Sequence, residues 1–440
     1  MSKRFLMMLC AVFACAVLVA ACGDDEGGGD AGGGSSGGSE ETGATEGAKV
    51  IDPALMDNAK GEVFYCTGKD TSGNTTEMVK RFNEEFGPDL KATLVEFPAS
   101  ADEQRNQFIQ RQQAKSGDCD VFSADVIWTA EFASQKWLYD LTPYMEDKKA
   151  EFIEAPLETV TYDKKIWGSP ETSDAAFLYY RTDLVDSAPT TWQEVYELAG
   201  ANGGIVYQGA PYEGLTVDFL ELAFAAGGTV LNEDGTKPTI NSPENVKALQ
   251  FMVDGIKNGV APKAVTTYME PESLTAWQSG KYAFMRNWPY AFKISEDESP
   301  KIKGKFKVIP FPEFEGGGKA GILGGHNSVI SVYSKNPGAA LKIVDFIGSP
   351  DIQRMYAADY SLTPVRSEVY DDPAVKKALP FAAELRDAVT QAKSRPVSPV
   401  YPQISQAIYK NVNRALSGQA TPEEAMQQAE KDMEGALATF

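Results

Sequence analysis

Hydrophobic and polar positions alternate between a strand-like and a helix-like period over residues 60 to 360. Glu62-Val63-Phe64-Tyr65 is a short apolar run that ends in Cys66-Thr67-Gly68-Lys69-Asp70, a strand leaving into a polar loop. Over residues 74–86 Met78, Val79, Phe82 and Phe86 fall at helical spacing, and Gly87-Pro88 stops that helix. A second strand, 93–97, and a second helix, 101–115, follow; Asp120-Val121-Phe122 opens a third strand, and 129–137 is helical again. This βαβαβα order predicts a parallel sheet with right-handed crossovers, hence an α/β chain. Further apolar runs predict strands at 176–180, 204–207, 282–285, 306–310 and 328–333. Amphipathic stretches predict helices at 191–200, 216–227, 244–258, 271–279, 338–347 and 350–358. No repeat of 20–50 residues is visible, which excludes solenoids and propellers.

The first residues follow a different pattern. Lys3 and Arg4 precede an apolar run, 5–21, that ends in Val19-Ala20-Ala21-Cys22. This resembles the lipobox of bacterial lipoproteins, so 1–21 is expected to be a signal peptide and Cys22 the lipidated first residue of the mature chain. Residues 23–48 hold 11 Gly and 7 Asp or Glu with no large apolar side chain. Together 22–48 are expected to form a flexible tether with a reach of about 25–30 Å. The expected location is extracytoplasmic, lipid-anchored to the outer face of the bacterial cell membrane. No later segment carries 18 consecutive apolar residues.

Length and charge narrow the function. A chain of 440 residues allows two to four domains. The formal net charge of −21 opposes the phosphate backbone, so no nucleic acid is expected as a partner. A single histidine, His326, excludes multi-histidine zinc sites, and no DxDxDG loop is present, so neither metal nor cofactor is expected. Cys66 and Cys119 remain once the signal and the lipid have used the others. In an oxidising compartment they are expected to form one disulfide, closing a loop of about 50 residues and worth about 4 kcal/mol; two buried thiols are the alternative.

Ligands of doubly wound sheets sit beyond the carboxyl ends of strands. No phosphate loop and no GxGxxG follow a strand here. The polar and aromatic points in such positions are Lys69 to Asn74, Asp125 with Trp128 and Glu131, Glu171 to Asp174, Asn287 to Tyr290, Gly324 to Asn327, and Arg395. Carboxylates, an arginine and indole rings are what sugar recognition needs: paired hydrogen bonds to vicinal hydroxyls, and an aromatic face against the C–H side of a pyranose. Asp70, Ser72 and Asn74 are cleft candidates on this ground.

The run from Asp120 to Ala133, ending at Trp137-Leu138, resembles the first-lobe signature of extracellular solute-binding proteins of ABC sugar importers, in particular the trehalose/maltose-binding branch. Four further blocks follow in that family's order: Phe177 to Leu184, Arg286 to Tyr290, Leu323 to Asn327, and Arg395 to Tyr401. The resemblance implies a two-lobed, type II-like periplasmic-binding-protein fold hinged by three crossover segments. Lobe one would comprise 49–172 plus 320–362, and lobe two 173–319 plus 363–440. The implied sugar contacts are Asp125, Asp174, the Trp288 ring, the backbone at Gly324 and Gly325, and the Arg395 guanidinium. His326 stands where relatives carry Trp or an aliphatic residue. The implied partners are the sugar and the membrane permease, with the protein a monomer.

Each of these residues also has a plainer reading. Asp125 could cap the helix near Ile127, Asp174 close a turn, Trp288 fill core, Arg395 pair with an acid of its own chain, and His326 lie in a solvated loop. Glu131 reads as a helix-face acid and Trp192 as the start of a packed helix. As a whole the chain reads as a non-enzymatic receptor for a di- or oligosaccharide such as trehalose or maltose. Phosphorylated ligands rank lower, because few cations flank the candidate loops. The alternatives are a secreted glycoside hydrolase, using two of Asp125, Asp174 and Glu131, and a receptor for a non-sugar solute such as a peptide. Against a hydrolase, each carboxylate has polar neighbours rather than the apolar pocket that raises an acid's pKa; no GxSxG is present either. A cleft position for His326 would make affinity change between about pH 5.5 and 7.5.

Overall fold

The structure is a computed structural model that describes residues 45–438. The signal peptide, Cys22 and residues 23–44 lie outside the described residues. The end of the expected tether is not free: Thr45 donates through its amide (3.1 Å) and hydroxyl (2.6 Å) to Asp163, and Lys165 Nζ donates to its carbonyl at 3.2 Å. Residues 45–48 are therefore part of the folded body, a correction to the expected boundary at 49.

Nine strands build two sheets among the described residues. In chain order they are β1 Gly61–Thr67, β2 Leu90–Glu96, β3 Val121–Asp125, β4 Ser169–Asp174, β5 Phe177–Arg181, β6 Ile205–Val206, β7 Phe284–Asn287, β8 Phe306–Ile309 and β9 Gly324–Ile330. The first sheet has the order β2-β1-β3-β9-β4 and the second β8-β5-β7-β6; a two-stranded ribbon, Thr161–Tyr162 with Lys165–Ile166, stands apart. The expected parallel pairing holds for β1 with β2 and β3. Strand β9 runs antiparallel to both β3 and β4, which makes the sheet mixed. The second sheet is antiparallel except for β6 against β7. The chain leaves the first sheet through Ala175-Ala176, returns between β8 and β9, and leaves again after the helix Pro350–Tyr360.

Two elements departed from the apolar pattern for a physical reason. Strand β4 is Ser-Pro-Glu-Thr-Ser-Asp, yet all six residues are buried. Its two carboxylates find partners inside the protein, while the Ser173 hydroxyl is buried without one. Glu171 accepts from Tyr65 Oη (2.6 Å) and Ser328 Oγ (2.8 Å), Gln353 Nε2 donates to its carbonyl at 2.9 Å, and Asp174 accepts from Thr363 Oγ1. Strand β9 starts four residues before the expected run, at Gly324-Gly325, which pair with Asp174 and Ser173 of β4. The sequence pattern assigned no helix beyond residue 358, but Ala382–Gln391, Tyr401–Leu416 and Pro422–Leu437 are helical. The last opens on a capping box, in which the Thr421 hydroxyl and the Glu424 carboxylate satisfy each other's backbone N–H groups.

Each sheet carries its own core. Phe97, Phe108, Phe122 and Phe132 interlock beside β3, with Phe108 stacked on Phe122 at 4.6 Å between centroids. Phe177, Tyr179, Trp277 and Phe306 are buried around β5. Cys66 of β1 and Cys119, just before β3, form the expected disulfide with 5.9 Å between Cα atoms. Among the described residues no helix is long and apolar enough to cross a membrane.

Candidate functional site

The carboxyl ends of β1, β3 and β4 and the start of β9 face elements of the second sheet across a cavity of about 260 Å³. All nine residues singled out from the sequence (Asp70, Asn74, Asp125, Asp174, Trp288, Gly324, Gly325, His326 and Arg395) line it. Ser72 and Lys69 line it too, whereas Glu131 and Trp192 do not. Glu131 is instead ion-paired to Arg105 Nε at 2.7 Å, and Trp192 packs on Phe311, as their plainer readings had it. Trp128 is core, stacked on Phe122.

Two glycines shape the wall at β9. A Cβ on Gly324 would lie 2.9 Å from the Trp288 six-membered ring, so only glycine lets the indole lie against this backbone. Gly325 has φ +109°, and a Cβ there would meet the Thr172 carbonyl at 2.2 Å. The position of Trp288 is fixed from its other side as well. Its amide donates to Asn287 Oδ1 (2.8 Å), Tyr179 Oη donates to its carbonyl (2.7 Å), and Arg286 lies 4.4 Å from the ring centroid. The indole N–H approaches Glu270 Oε1 at 3.4 Å, and Tyr212 Oη donates to Glu270 Oε2 at 2.6 Å. Trp288 is thus half-buried wall rather than core.

The plainer readings of Asp125 and Arg395 are realised in part. Asp125 Oδ1 caps the short 3-10 turn by accepting from the Ile127 amide (3.2 Å), and it also accepts from Arg395 Nη2 at 3.0 Å. Arg395 donates in addition through Nη1 to Glu213 Oε1 (2.8 Å) and through Nη2 to the Leu323 carbonyl (3.3 Å). Its Nε is buried without a hydrogen-bond partner. Asp174 is no turn acid: it ends β4, is buried, and accepts from Thr363 Oγ1 at 2.8 Å. Burial pushes its carboxyl up from the ordinary value, against the pull of the Thr363 bond and of His326. His326 lies on β9, opposite Asp125 and Thr172, and not in a loop. Asp70 is engaged elsewhere as well: its carboxylate accepts from the amides of Gly73 (2.7 Å) and Thr76 (2.8 Å), which ties the loop to the helix starting at Asn74.

Among the wall residues not read from the sequence are Tyr212, Glu213 and Glu270. The available signal was the helix Glu213–Ala225, which is apolar nearly all round but carries Glu213, Asp218 and Glu221. Buried acids need cationic partners, and two arginines provide them. Arg286 reaches Asp218 at 2.8 Å and Glu221 at 2.5 Å, and Arg395 reaches Glu213. Glu213 also accepts from Tyr401 Oη at 2.7 Å and from Ser405 Oγ.

Burial pushes the Glu213 carboxyl up to about 7, aided by the charge of Asp125 and opposed by Arg395 and the two hydroxyls. An unfolded glutamate releases its proton near 4.5. The stability contributed by the raised group is therefore complete below pH 4.5 and is lost as pH rises towards 7, a change of about 3 kcal/mol. Melting temperature measured from pH 4.5 to 7.5 is expected to fall more steeply with rising pH in the native protein than in Glu213→Gln. Parallel profiles would show that Glu213 does not titrate in this range.

A family model described as bacterial extracellular solute-binding protein matches residues 68–354. A probable ABC transporter-binding protein of Deinococcus radiodurans is 36% identical over 366 residues, 78% of this chain and 85% of that protein. The structure of maltose-bound MalE3 from T. maritima superposes with a TM-score of 0.81 and 38% identity, covering 85% of this chain and 99% of that one. A solute-binding protein from Thermotoga lettingae with bound α-D-tagatose gives a TM-score of 0.78 at 26% identity, with 86% and 99% covered. These relatives are solute-binding proteins and not enzymes.

Proposed function

Because this chain belongs to the bacterial extracellular solute-binding proteins, the sugar-binding components of ABC importers, we propose that it captures a di- or oligosaccharide of the maltose or trehalose kind in the cavity between its two sheets. One observation carries the reading. The Trp288 indole is held as a half-buried wall against the bare backbone of Gly324, and Asp125 and Asp174 line the same cavity. An aromatic face beside carboxylate acceptors suits a pyranose ring, whose C–H side stacks while its hydroxyls donate. MalE3, described with bound maltose, supports the sugar class.

In this reading the parts built on each sheet are the two lobes, and ligand shifts them from open to closed. The expected bounds of 49 and 172/173 shift to 45–174 plus 320–362 and 175–319 plus 363–438, because Thr45 is tied to Asp163 and because Ser173 and Asp174 pair with β9 of the first sheet. Asp125 and Asp174 accept from sugar hydroxyls, while Arg395, whose Nη atoms are already engaged, holds Asp125 in place. Asn74, Asp70, His326 and Gly325 complete the wall. A lipid on Cys22 holds the monomeric body near the permease that receives the sugar.

Thermal unfolding in the presence of a sugar panel tests this. A ligand at a hundredfold its Kd stabilises the folded state by about 2.7 kcal/mol. Maltose, maltotriose or trehalose at millimolar concentration is expected to raise the melting temperature by several degrees, saturably. No shift with any sugar, alongside a shift with peptides, would move the assignment to a non-sugar solute.

A further inference from the structure

We infer that Asp102 is a positioning residue for capture, capping from the first-sheet side of the cavity a helix that belongs to the second-sheet side. Asp102 lies in the first turn of the helix Ala101–Gln113, whose Phe108 packs on Phe122 of β3. The helix it caps, Glu213–Ala225, packs in the core of the second sheet. The residue at its own cap position, Tyr212, provides no side-chain bond to its exposed N–H groups. Asp102 Oδ2 accepts the first of them, Glu213 N–H, at 3.1 Å. One carboxylate oxygen of the first-sheet side thus serves as the capping acceptor that this helix of the opposite wall lacks.

A second contact across the cavity converges on the same residue. The Glu213 carboxylate holds Arg395 Nη1, and Arg395 Nη2 reaches Asp125 of β3 at 3.0 Å. Two acids of one wall, Asp102 and Asp125, therefore meet the backbone and the arginine partner of a single glutamate of the other. Moving the walls apart breaks both contacts together, uncovering the Glu213 N–H and leaving Arg395 with one carboxylate instead of two. Neither contact involves a ligand, so the pair biases the closed arrangement before any sugar arrives. Sugar affinity then depends on Asp102 through the closed fraction rather than through direct contact.

The inference rests on the proposed function only for its affinity readout, so the test carries a second readout that needs no sugar. Spin labels at Lys91→Cys on β2 and Lys257→Cys at the end of the helix Pro243–Lys257 report the distance between the two sides in the ligand-free protein. Asp102→Ala is expected to shift the open-to-closed ratio about fivefold towards open, and to weaken maltose binding by about the same factor. Asp102→Asn and Asp102→Ser, which retain a capping oxygen, are expected to restore both within about twofold. Identical distance distributions in the native protein and Asp102→Ala would overturn the inference. So would an Asn variant that behaves like the Ala variant, because charge rather than capping would then be at work. Should no variant bind maltose while the distances still shift and are rescued, the sugar assignment falls and the cap stands.

Discussion

Arg395→Ala is expected to destabilise the protein by about 3–5 kcal/mol and to abolish sugar binding. The side chain is 2% exposed and lies between Asp125 at 3.0 Å and Glu213 at 2.8 Å. Removing one partner of a buried ionic cluster leaves the others as uncompensated charge, a far larger penalty than the net worth of the cluster itself. Binding suffers separately, because Asp125 loses the group that orients it at the cavity wall. Arg395→Lys is expected to be intermediate, since a point charge cannot serve Asp125, Glu213 and the Leu323 carbonyl with one planar fork. Adding Glu213→Gln to Arg395→Ala is expected to recover part of the stability by removing one stranded carboxylate. Urea unfolding and calorimetric titration read the two effects apart. An Arg395→Ala protein within about 1 kcal/mol of native stability would show that the cluster is solvated in solution.

Trp288→Ala is expected to weaken sugar binding at least tenfold, roughly 1.4 kcal/mol or more, with a smaller effect on stability. The ring is half-buried, so truncation removes a binding face more than it removes core. Arg286 behind the ring keeps its two carboxylate partners, Asp218 and Glu221, in the variant. Trp288→Phe is expected to retain part of the affinity, because a smaller aromatic face still stacks. Asp125→Ala is expected to weaken binding by a similar factor through lost acceptor oxygens. Unchanged affinity in both Ala variants would place the sugar outside this cavity.

How much of this was legible in the sequence depended on what each residue does locally. The helix Asn74–Phe86 was read to the residue because Met78, Val79 and Phe82 are its buried stripe and Gly87 ends it. The alternation of apolar runs gave only an α/β chain with a parallel sheet; the two-lobed arrangement came from the resemblance carried by the five ordered blocks. Strand β4 was missed because its burial rests on hydrogen bonds made by Glu171 and Asp174, and not on apolar side chains. Propensity has no record of partners more than 100 positions away, such as Tyr65 and Ser328. The start of β9 was missed for a related reason: Gly324 and Gly325 are poor strand formers, kept there by the close approach of Trp288 and Thr172.

At the candidate site the residues in strand-following loops were visible, since strand ends are where such sheets carry ligands. Glu213 was not, because it sits in a helix that reads as core. The anomaly that marks it is charge within apolar sequence, which becomes informative only once Arg395, far along the chain, is seen to share its pocket. Asp102 reads as an ordinary first-turn acid of its own helix; nothing in the local sequence says that it also serves a second one. The expected tether ran four residues too far because Gly/acidic composition continued through Thr45, whose anchor, Asp163, is remote in sequence.

The central claim, that a sugar is held between the two sheets against Trp288, is tested most directly by a crystal structure of residues 45–438 grown with maltose. The account predicts density for a pyranose ring stacked on the Trp288 indole near Gly324, with ring hydroxyls within hydrogen-bond distance of Asp125 and Asp174. Density for the sugar elsewhere, with the cavity lined by Trp288, Asp125 and Arg395 left to water, would contradict it.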